Sequence, residues 1–579
     1  MSGAFFALML LFANGAEVTE VLDDLTPFES YPEKFAPLID KIPEPNYEQA
    51  VLAAENDLKK RNRILHYMEK GRIYQIRGEF QKSLTAFDEA LELIKKDEGR
   101  ALISMKRVGA VAASVGVNDT FMPYTGYGFE KVLIHHDQAI NYLATAQSEA
   151  AGVEIRRANA RQGEELEKHH QKVEKAEEKK RKTLEKAEKK QQKALEKARK
   201  KEEKKKNGGK SWRRPFGKKG KAEKESSAPD EELQGEPSED EAAAEEEAVD
   251  QEKPAKRGGF KNRFNNIRQK VFKKNNKDKD EQKKKIDWRA LEQSITQKFD
   301  EEYAQMDEIA GQVKNSFQNA YTFYFSGLIY EQQRKDDDAY IDFRKGLEIK
   351  PQNPYLLDDT FRLASDLKRD DDLDWLKKKY PDWKEKSAPG QTKLIVFFEE
   401  GRAPIKEQLK ISVPIDANLT EWVSMAAPIY PSQKRAPKTL SVHQNGLLGE
   451  TDLLCDVQAL AVMSLKEQAK LRIARQITRM IVKGYATKIA QDEAGATGGL
   501  AGSVYGVLSE NADLRSWLTL PSNIQVGRFS IPEGSQRIVL KQSGLGINEA
   551  IEITPESGQM VLLQVIHYNN NLYINPIYI

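Results

Sequence analysis

The pattern of hydrophobic and polar positions divides the chain into three kinds of sequence. In residues 17–165 and 291–386, apolar side chains recur every three to four positions, which predicts amphipathic helices. Residues 166–290 are almost wholly charged and carry no sustained apolar stripe. In residues 387–579, short apolar runs alternate with turn residues, which predicts strands together with one long helix. We therefore expect a multidomain protein in which an all-α half precedes an α+β domain, with a long charged insertion between the helices.

Several segments of the C-terminal region carry the strand pattern. The last two are separated by three asparagines, a sequence that favours a tight hairpin turn. A long helical region is expected over about residues 452–490. The predicted strands are Lys393–Glu399, Gln408–Pro414, Ile524–Phe529, Arg537–Lys541, Met560–Tyr568 and Leu572–Ile579.

Two segments of the helical half share small and aromatic residues at offsets 0, 4, 7, 16, 20 and 23. The first set is Tyr67, Gly71, Tyr74, Ser83, Phe87 and Ala90, and the second is Phe323, Gly327, Tyr330, Ala339, Phe343 and Gly346. Both resemble the tetratricopeptide (TPR) repeat, in which small residues let two helices approach and aromatic residues fill the space between neighbouring pairs. Two unrelated helical hairpins are the alternative. Because two repeats are too few for a stable solenoid, other helices must complete the stack, and we expect Trp375 and Trp383 to seal its end.

Charge is distributed in blocks, so the net charge of +2 is uninformative. Within the insertion at residues 166–290, a Lys/Glu/Ala run from Lys168 to Lys206 is typical of a solvated helix or of disorder. An acidic block spans Asp230–Glu252, and basic patches with interleaved aromatic residues lie on either side of it. We expect the insertion to loop out as a tether without a partner. Its basic patches would otherwise suit nucleic acid, anionic lipid or a glycan polymer of the cell wall.

The N-terminus contains an apolar run of ten residues, Ala4–Ala13, followed by small residues. This length is typical of the hydrophobic region of a signal peptide and is too short for a membrane span. No Lys or Arg precedes the run, and a buried N-terminal helix is the alternative. With residues 1–16 as a signal peptide, we expect an exported protein that is periplasmic or associated with the outer membrane.

Motifs of nucleophilic, zinc-dependent and nucleotide-dependent catalysis are absent from the sequence, which has no GxSxG, HExxH or P-loop. His135 and His136 are adjacent on a predicted helix and point about 100° apart, so we do not expect them to share a metal ion. Cys455 lies on an apolar helix face, where a free cysteine is usually a small core residue, and a nucleophile partnered by His443 is the alternative. We therefore expect no catalytic residue, cofactor or metal.

Two groups of residues are predicted to bind partners. A loop rich in glycine and aromatic residues within Asn118–Leu143, the helix after it and an Arg–Trp pair supply the first group. These residues are Tyr124, Tyr127, Phe129, Asn141, Arg157, Arg515 and Trp517. A structural corner that plugs the helical stack is the other interpretation of the loop. The second group is a possible anion-binding stripe on one helix face, with a solvated helix face as the alternative: Arg472, Arg475, Arg479 and Lys483.

Four segments, taken together, resemble one family of bacterial envelope proteins that contain TPR repeats and are often lipoproteins. These segments are Asn118–Leu143, Val153–Gln162, Phe323–Tyr355 and Ala512–Gly534. The resemblance implies export, a TPR-like half, a C-terminal half with strands, and no assigned activity. The gene context of the family implies a link with small outer-membrane lipoproteins that resemble activators of penicillin-binding proteins. This sequence lacks the lipid-anchor cysteine of many members.

The function expected from these observations is that of a non-enzymatic, exported scaffold or adaptor. Its TPR-like solenoid would bind envelope proteins or peptides, among them outer-membrane lipoproteins, in an envelope or surface-assembly system. Its basic patches would contact anionic lipid or glycan. The alternative is a cytoplasmic protein that associates with nucleic acid through the basic insertion.

Overall fold

The computed structural model describes residues 30–44, 47–48, 51, 62–105, 123–207, 288–384, 392–414, 422–494 and 511–579. The predicted signal peptide and most of the predicted insertion lie outside these residues. The chain forms two compact units, one made of Met1–Glu188 with Asp287–Ile579 and the other of Lys189–Ile286.

A helical region comes first, as the periodicity predicts, and its helices have the following bounds. They are α1 (Tyr31–Ile39), α2 (Arg63–Ile76), α3 (Phe80–Met105), α4 (Gly128–Ala144), α5 (Ser148–Asn207), α6 (Trp288–Ala304), α7 (Asp307–Ala310), α8 (Ala320–Gln332), α9 (Asp336–Ile349), α10 (Pro354–Asp366) and α11 (Asp370–Lys379).

Two helical hairpins, α2–α3 and α8–α9, are built on the same close approach. An added Cβ at Gly71 of α2 would lie 2.4 Å from the ring of Phe87 on α3. At Gly327 of α8, it would lie 2.5 Å from the ring of Phe343 on α9. Both phenylalanines are fully buried. The glycines therefore let the two helices approach as the spacing predicts, but the phenylalanines, which were expected between neighbouring pairs, fill the space inside each hairpin, because only glycine leaves room for the facing ring.

Filling this space in the second hairpin should destabilise the protein. We expect Gly327→Ala to lower the free energy of unfolding by about 1–3 kcal/mol, because the buried ring of Phe343 cannot move aside without disturbing its neighbours. The matched control is Gly163→Ala in α5, where nothing lies within 4 Å of the added Cβ and the better helix propensity of alanine should stabilise by up to about 1 kcal/mol. Urea denaturation of both variants checks the contrast, and equal effects would contradict this account.

Helix α5 crosses the predicted start of the insertion. It runs without a break past residue 166, its Leu184 is buried, and its Lys180 forms an ion pair of 2.6 Å with Glu292 of α6. The first part of the predicted insertion is therefore packed helix in the structure. The second unit is described only at the end of α5, where exposed pairs such as Arg199–Glu203 join residues one helical turn apart.

The strands and the last long helix follow. They are β1 (Thr392–Glu400), β2 (Glu407–Pro414), β3 (Trp422–Ile429), β4 (Ser441–His443), β5 (Leu447–Glu450), β6 (Asp452–Asp456), α12 (Val457–Ala494), β7 (Asn523–Ile531), β8 (Gln536–Gln542), β9 (Ile547–Ile553), β10 (Met560–Tyr568) and β11 (Asn571–Tyr578). The long helix was expected from about residue 452, but its first five positions form β6 instead.

The strands form a mixed five-stranded sheet in the order β11-β10-β1-β7-β6, a four-stranded sheet in the order β5-β4-β8-β9, and the β2–β3 hairpin. Strand β1 lies parallel to β10 and antiparallel to β7. The β10–β11 hairpin turns at Asn569 and Asn570, whose φ angles are 49° and 59°. Asparagine tolerates this left-handed conformation, which a two-residue hairpin turn requires.

The helical region and the larger sheet share one core. Alternate residues of β1 point to one face of the sheet, and there Phe397 packs against Tyr321, Tyr324 and Phe325 of α8, with ring centroids 5.0, 6.2 and 5.9 Å apart. On the same face, Glu399 forms a buried ion pair with Arg72 of α2. The residues predicted as separate helical and α+β domains therefore belong to one compact unit.

Candidate functional site

Most of the residues predicted to bind a partner come together where the helical region meets the loop before β7. Six of the seven are buried: Tyr124, Tyr127, Phe129, Asn141, Arg515 and Trp517. Only Arg157 is exposed, with an ion pair to Glu154. The structure thus corrects their predicted role as an external contact surface, because the partners of the buried six lie within this chain. The interpretation as a structural corner agrees with their positions.

The loop of residues 511–522, which we call the linking loop, is anchored by Trp517. Its indole is 1% exposed and meets the ring of Phe87 edge-on at 5.9 Å. Its Nε1–H donates to Thr519 Oγ1 at 3.0 Å. The indole therefore has both an apolar contact and a hydrogen-bond acceptor, as a buried tryptophan requires.

Two buried glutamates of the helical region hold the backbone of the linking loop. Glu130 of α4 accepts from Trp517 N at 2.8 Å. Glu69 of α2 accepts from Leu518 N at 2.7 Å and from Thr519 N at 3.1 Å. We call this arrangement the carboxyl clamp: the side chains of Glu69 and Glu130 and the N–H groups of these three consecutive residues. The clamp satisfies donors of an irregular backbone segment that has no strand partner there.

Burial is the largest influence on the pKa of both glutamates. It raises the pKa of Glu69 to about 8, although the hydrogen bonds from Thr519 and Leu518 act in the opposite direction. It also raises the pKa of Glu130. A carboxyl group surrounded by protein loses the hydration that favours its ionised form.

Cations cover the tyrosines at the start of α4. Lys406 Nζ lies 4.0 Å from the ring centroid of Tyr127 and donates to the carbonyl of Arg515 at 2.6 Å. Arg515 in turn donates to both carboxyl oxygens of Asp513, at 2.8 Å each. Burial alone would raise the pKa of Asp513, but the Arg515 guanidinium outweighs it and holds that pKa below its usual value. Of the predicted Arg–Trp pair, Arg515 therefore forms an internal ion pair, whereas Trp517 is an apolar anchor.

Asn141 ties three helices together. Its side chain donates to Ser83 Oγ of α3 at 2.8 Å and accepts from Gln75 Nε2 of α2 at 2.9 Å. Ser83 Oγ donates in turn to the carbonyl of Gly71 at 2.7 Å. All of these groups are buried, so Asn141 satisfies polar atoms between helices and does not face a partner.

A second network, which the sequence analysis missed, joins α8 and α10 to the sheet; its centre, Glu331 and Arg528, is largely buried, whereas Arg362 and Lys393 are partly exposed. Glu331 accepts from Arg528 at 2.9 and 3.0 Å, from Arg362 at 3.0 Å and from Lys393 at 2.5 Å. Burial alone would raise the pKa of Glu331, but these three cations outweigh it and lower the pKa well below its usual value. A signal for this site existed in the sequence: Lys393 and Arg528 each interrupt an apolar strand.

The predicted anion-binding stripe on α12 is only partly described. Arg472 is half-buried and donates to Tyr127 Oη at 2.9 Å and to Gln468 at 3.0 Å, so it points toward the start of α4. Arg475 is exposed. The side chains of Arg479 and Lys483 lie outside the described residues. The stripe therefore begins with an arginine that is engaged inside the protein.

The remaining groups of interest for catalysis are also internal. His135 Nδ1 lies 2.7 Å from a carboxyl oxygen of Glu154. His136 is buried against Tyr321 with ring centroids 3.8 Å apart, and burial lowers its pKa. Cys455 is 2% exposed, and burial raises the pKa of its thiol well above the usual value. A thiol of this kind is a weak nucleophile, because the reactive form is the thiolate.

Within the described parts of the chain, no three or more His, Cys, Asp and Glu side chains gather where a metal ion could be held. Among the same residues, no helix combines the length and apolar character needed to cross a bilayer.

One exposed surface combines apolar and cationic groups. Ile341 of α9 is 43% exposed and Trp375 of α11 is 40% exposed. The Arg344 guanidinium lies 5.4 Å and Lys379 Nζ 4.7 Å from the ring centroid of Trp375. We call these four residues the Trp375 patch. Trp375 was expected to seal the end of the helical stack, but it lies on the surface; Trp383 does pack inward and stacks on Phe361 at 3.8 Å.

Comparison of the chain with protein-family models, with curated proteins and with solved structures found no match. The resemblance to TPR-containing envelope proteins therefore stays a prediction.

Proposed function

We propose that this protein is a non-enzymatic, exported scaffold that binds partner proteins in a bacterial envelope or surface-assembly system through a TPR-like helical array. The observation that carries the proposal is the exposed Trp375 patch on α9 and α11. Helices α9 and α11 are the second helices of two successive helical pairs. The first helices of these pairs, α8 and α10, pack against the protein's own sheet.

The TPR-like character of the array is supported by its internal geometry. In both hairpins a glycine of the first helix receives a buried phenylalanine from the second, at the same spacing along the chain. A third pair, α10–α11, continues the array and packs through α10 onto α9. Stacked helical pairs of this kind present extended surfaces that bind proteins by shape and apolar contact.

A binding role also fits the disposition of the ionisable groups. Several buried acids and bases of the described core are engaged with neighbouring protein groups, as in the carboxyl clamp and around Glu331. The Trp375 patch, in contrast, offers tryptophan and arginine, two residue types enriched where protein interfaces gain most of their binding energy.

Site-specific photocrosslinking in living cells tests this proposal. A photoreactive phenylalanine derivative is placed at Ile341 or Trp375, and at Leu447 as a control that is 60% exposed on β5. We expect a discrete cross-linked species of an envelope protein from the first two positions and none from the third. Equal products from all three positions, or no product from the patch, would contradict the proposed surface.

A separate experiment tests export. We expect the first thirty residues to direct a reporter that works only outside the cytoplasm. A silent reporter would contradict export and favour the alternative function, a cytoplasmic protein that associates with nucleic acid through its basic segments. In that case, binding of the full chain to nucleic acid should weaken steeply with salt, because phosphate contacts release counterions.

A further inference from the structure

We infer that the carboxyl clamp is a pH-sensitive latch between the helical region and the linking loop, closed while Glu69 holds a proton and loosened when it loses that proton. Two carboxyl groups, from α2 and α4, accept hydrogen bonds from the N–H groups of three consecutive loop residues, Trp517, Leu518 and Thr519. Whatever changes the charge of the carboxyls acts directly on the contact that fixes the loop.

Among the residues that the structure describes, neither carboxyl of the clamp has a counter-ion in direct contact. Glu69 and Glu130 are fully buried, and within the described residues neither has a Lys, Arg or His at ion-pair distance. The nearby Arg72 is paired with Glu399, and Lys406 acts on Glu130 only at longer range. An uncompensated buried carboxylate is costly, so the ionised form of Glu69 favours opening of the interface.

The surroundings of Glu69 accommodate its proton. Thr519 Oγ1 lies 2.5 Å from Glu69 Oε2, and Tyr31 Oη lies 3.4 Å from Oε1. A hydroxyl group can act as a donor or as an acceptor. Thr519 Oγ1 can therefore accept a hydrogen bond from the neutral acid of Glu69 and donate one to its carboxylate. The closed arrangement therefore keeps its contacts when Glu69 is protonated.

The direction of the pH effect follows from the groups that face Glu69. Among the described residues of the elements packed against α2, these are Glu130 from α4, Tyr31 from α1 and Tyr568 from β10, and none of them supplies a positive charge; Arg72 of α2 itself is paired with Glu399. With the pKa of Glu69 raised from 4.5 to about 8, the folded protein holds a proton that the unfolded chain has already released. The contribution to stability is thus greatest at low pH and is lost as the pH rises through that interval.

His136 acts in the opposite direction but at lower pH. Burial lowers its pKa below the usual value of 6.5, so its contribution to stability is lost as the pH falls below that value. An experiment above pH 6.5 therefore separates the clamp from His136.

The test is amide hydrogen exchange of the full chain between pH 6.5 and 9, with opening constants of Trp517, Leu518 and Thr519 corrected for the intrinsic exchange rate at each pH. In the wild type, the opening constant should rise by up to about tenfold per pH unit and level off above about pH 8. In Glu69→Gln, residue 69 cannot titrate, so the opening constant should depend much less on pH, with only Glu130 of the clamp left to titrate. A flat wild-type profile, or an unchanged slope in Glu69→Gln, would overturn the latch.

Two further variants distinguish an effect of Glu69 titration from a general loosening of the contact with the linking loop. Glu399→Gln breaks the neighbouring ion pair between α2 and β1 but keeps the titrating carboxyl of Glu69, so opening should increase and still depend on pH. Thr519→Val removes a hydrogen bond that lowers the pKa of Glu69, so the pH at which the profile levels off should move upward. If Glu69→Gln does not fold, this shift decides the matter, and an unmoved profile in Thr519→Val would count against the latch.

Discussion

Replacing Glu331 by alanine should lower the free energy of unfolding by about 3–5 kcal/mol, the cost of breaking a buried ion-pair network by removing one partner. Glu331 is the shared acceptor of Arg528, Arg362 and Lys393. Without it, Arg528 remains buried between α8, α10 and the sheet with Asp359 as its only close carboxyl among the described residues. Urea denaturation at pH 7 measures the loss.

The control is Glu348→Ala on α9, where an exposed carboxyl lies 4.0 Å from Arg344. Exposed pairs contribute about 0–1 kcal/mol, so this variant should remain close to the wild type. A loss below 1 kcal/mol in Glu331→Ala would show that the network does not hold the helices to the sheet.

Acid should act on the same network. Because the pKa of Glu331 is lowered in the folded protein, its contribution to stability is present above the unfolded value of 4.5 and is lost as the pH falls below it. Glu331→Ala should therefore show a shallower loss of stability below pH 4.5 than the wild type.

Trp517→Ala should be the second most damaging substitution, with a loss of about 3–5 kcal/mol from the cavity it leaves. The indole is 1% exposed, meets Phe87 at 5.9 Å and donates to Thr519 Oγ1. Removing it takes away both the apolar anchor of the linking loop and the hydrogen bond from the indole to Thr519 Oγ1. The midpoint of urea denaturation checks the expected loss.

Trp375→Ala provides the matched control, because it deletes the same side chain at a position that is 40% exposed. Its effect on the free energy of unfolding should stay within about 0.5 kcal/mol. If both tryptophan variants lost the same stability, Trp517 would not be the anchor described here.

Local sequence patterns predicted the elements that depend on neighbouring residues. Apolar spacing located the helices around Gly71 and Gly327, and short apolar runs located β1, β7 and β10. The β10–β11 turn followed from asparagine, which tolerates the left-handed backbone there. Strands β3, β4, β5, β6 and β9 were missed: β4 and β5 are short, β6 lies where the long helix was expected, and β9 is exposed at four of its seven positions.

The sequence singled out several residues of the candidate site, but the structure corrects the role that was predicted for them. Glycine and aromatic residues singled out Tyr124, Tyr127 and Trp517, but these side chains lie inside the protein. Glu69 and Glu130 gave no signal, because a glutamate on a helix is normally exposed. Their burial depends on loop residues far along the chain: Trp517 is 387 positions from Glu130.

The sequence by itself determined which regions form helices and which form most of the longer strands, the glycine positions at which paired helices approach, and the asparagine turn between β10 and β11, because these depend on backbone preference and on residues nearby in the chain. Only the tertiary structure decided that β1 pairs in parallel with β10, that the helical region and the sheet share one core, and which carboxyls are buried. The physical reason is that burial and charge pairing are properties of distant segments brought together, and no local pattern of polarity records which segments meet.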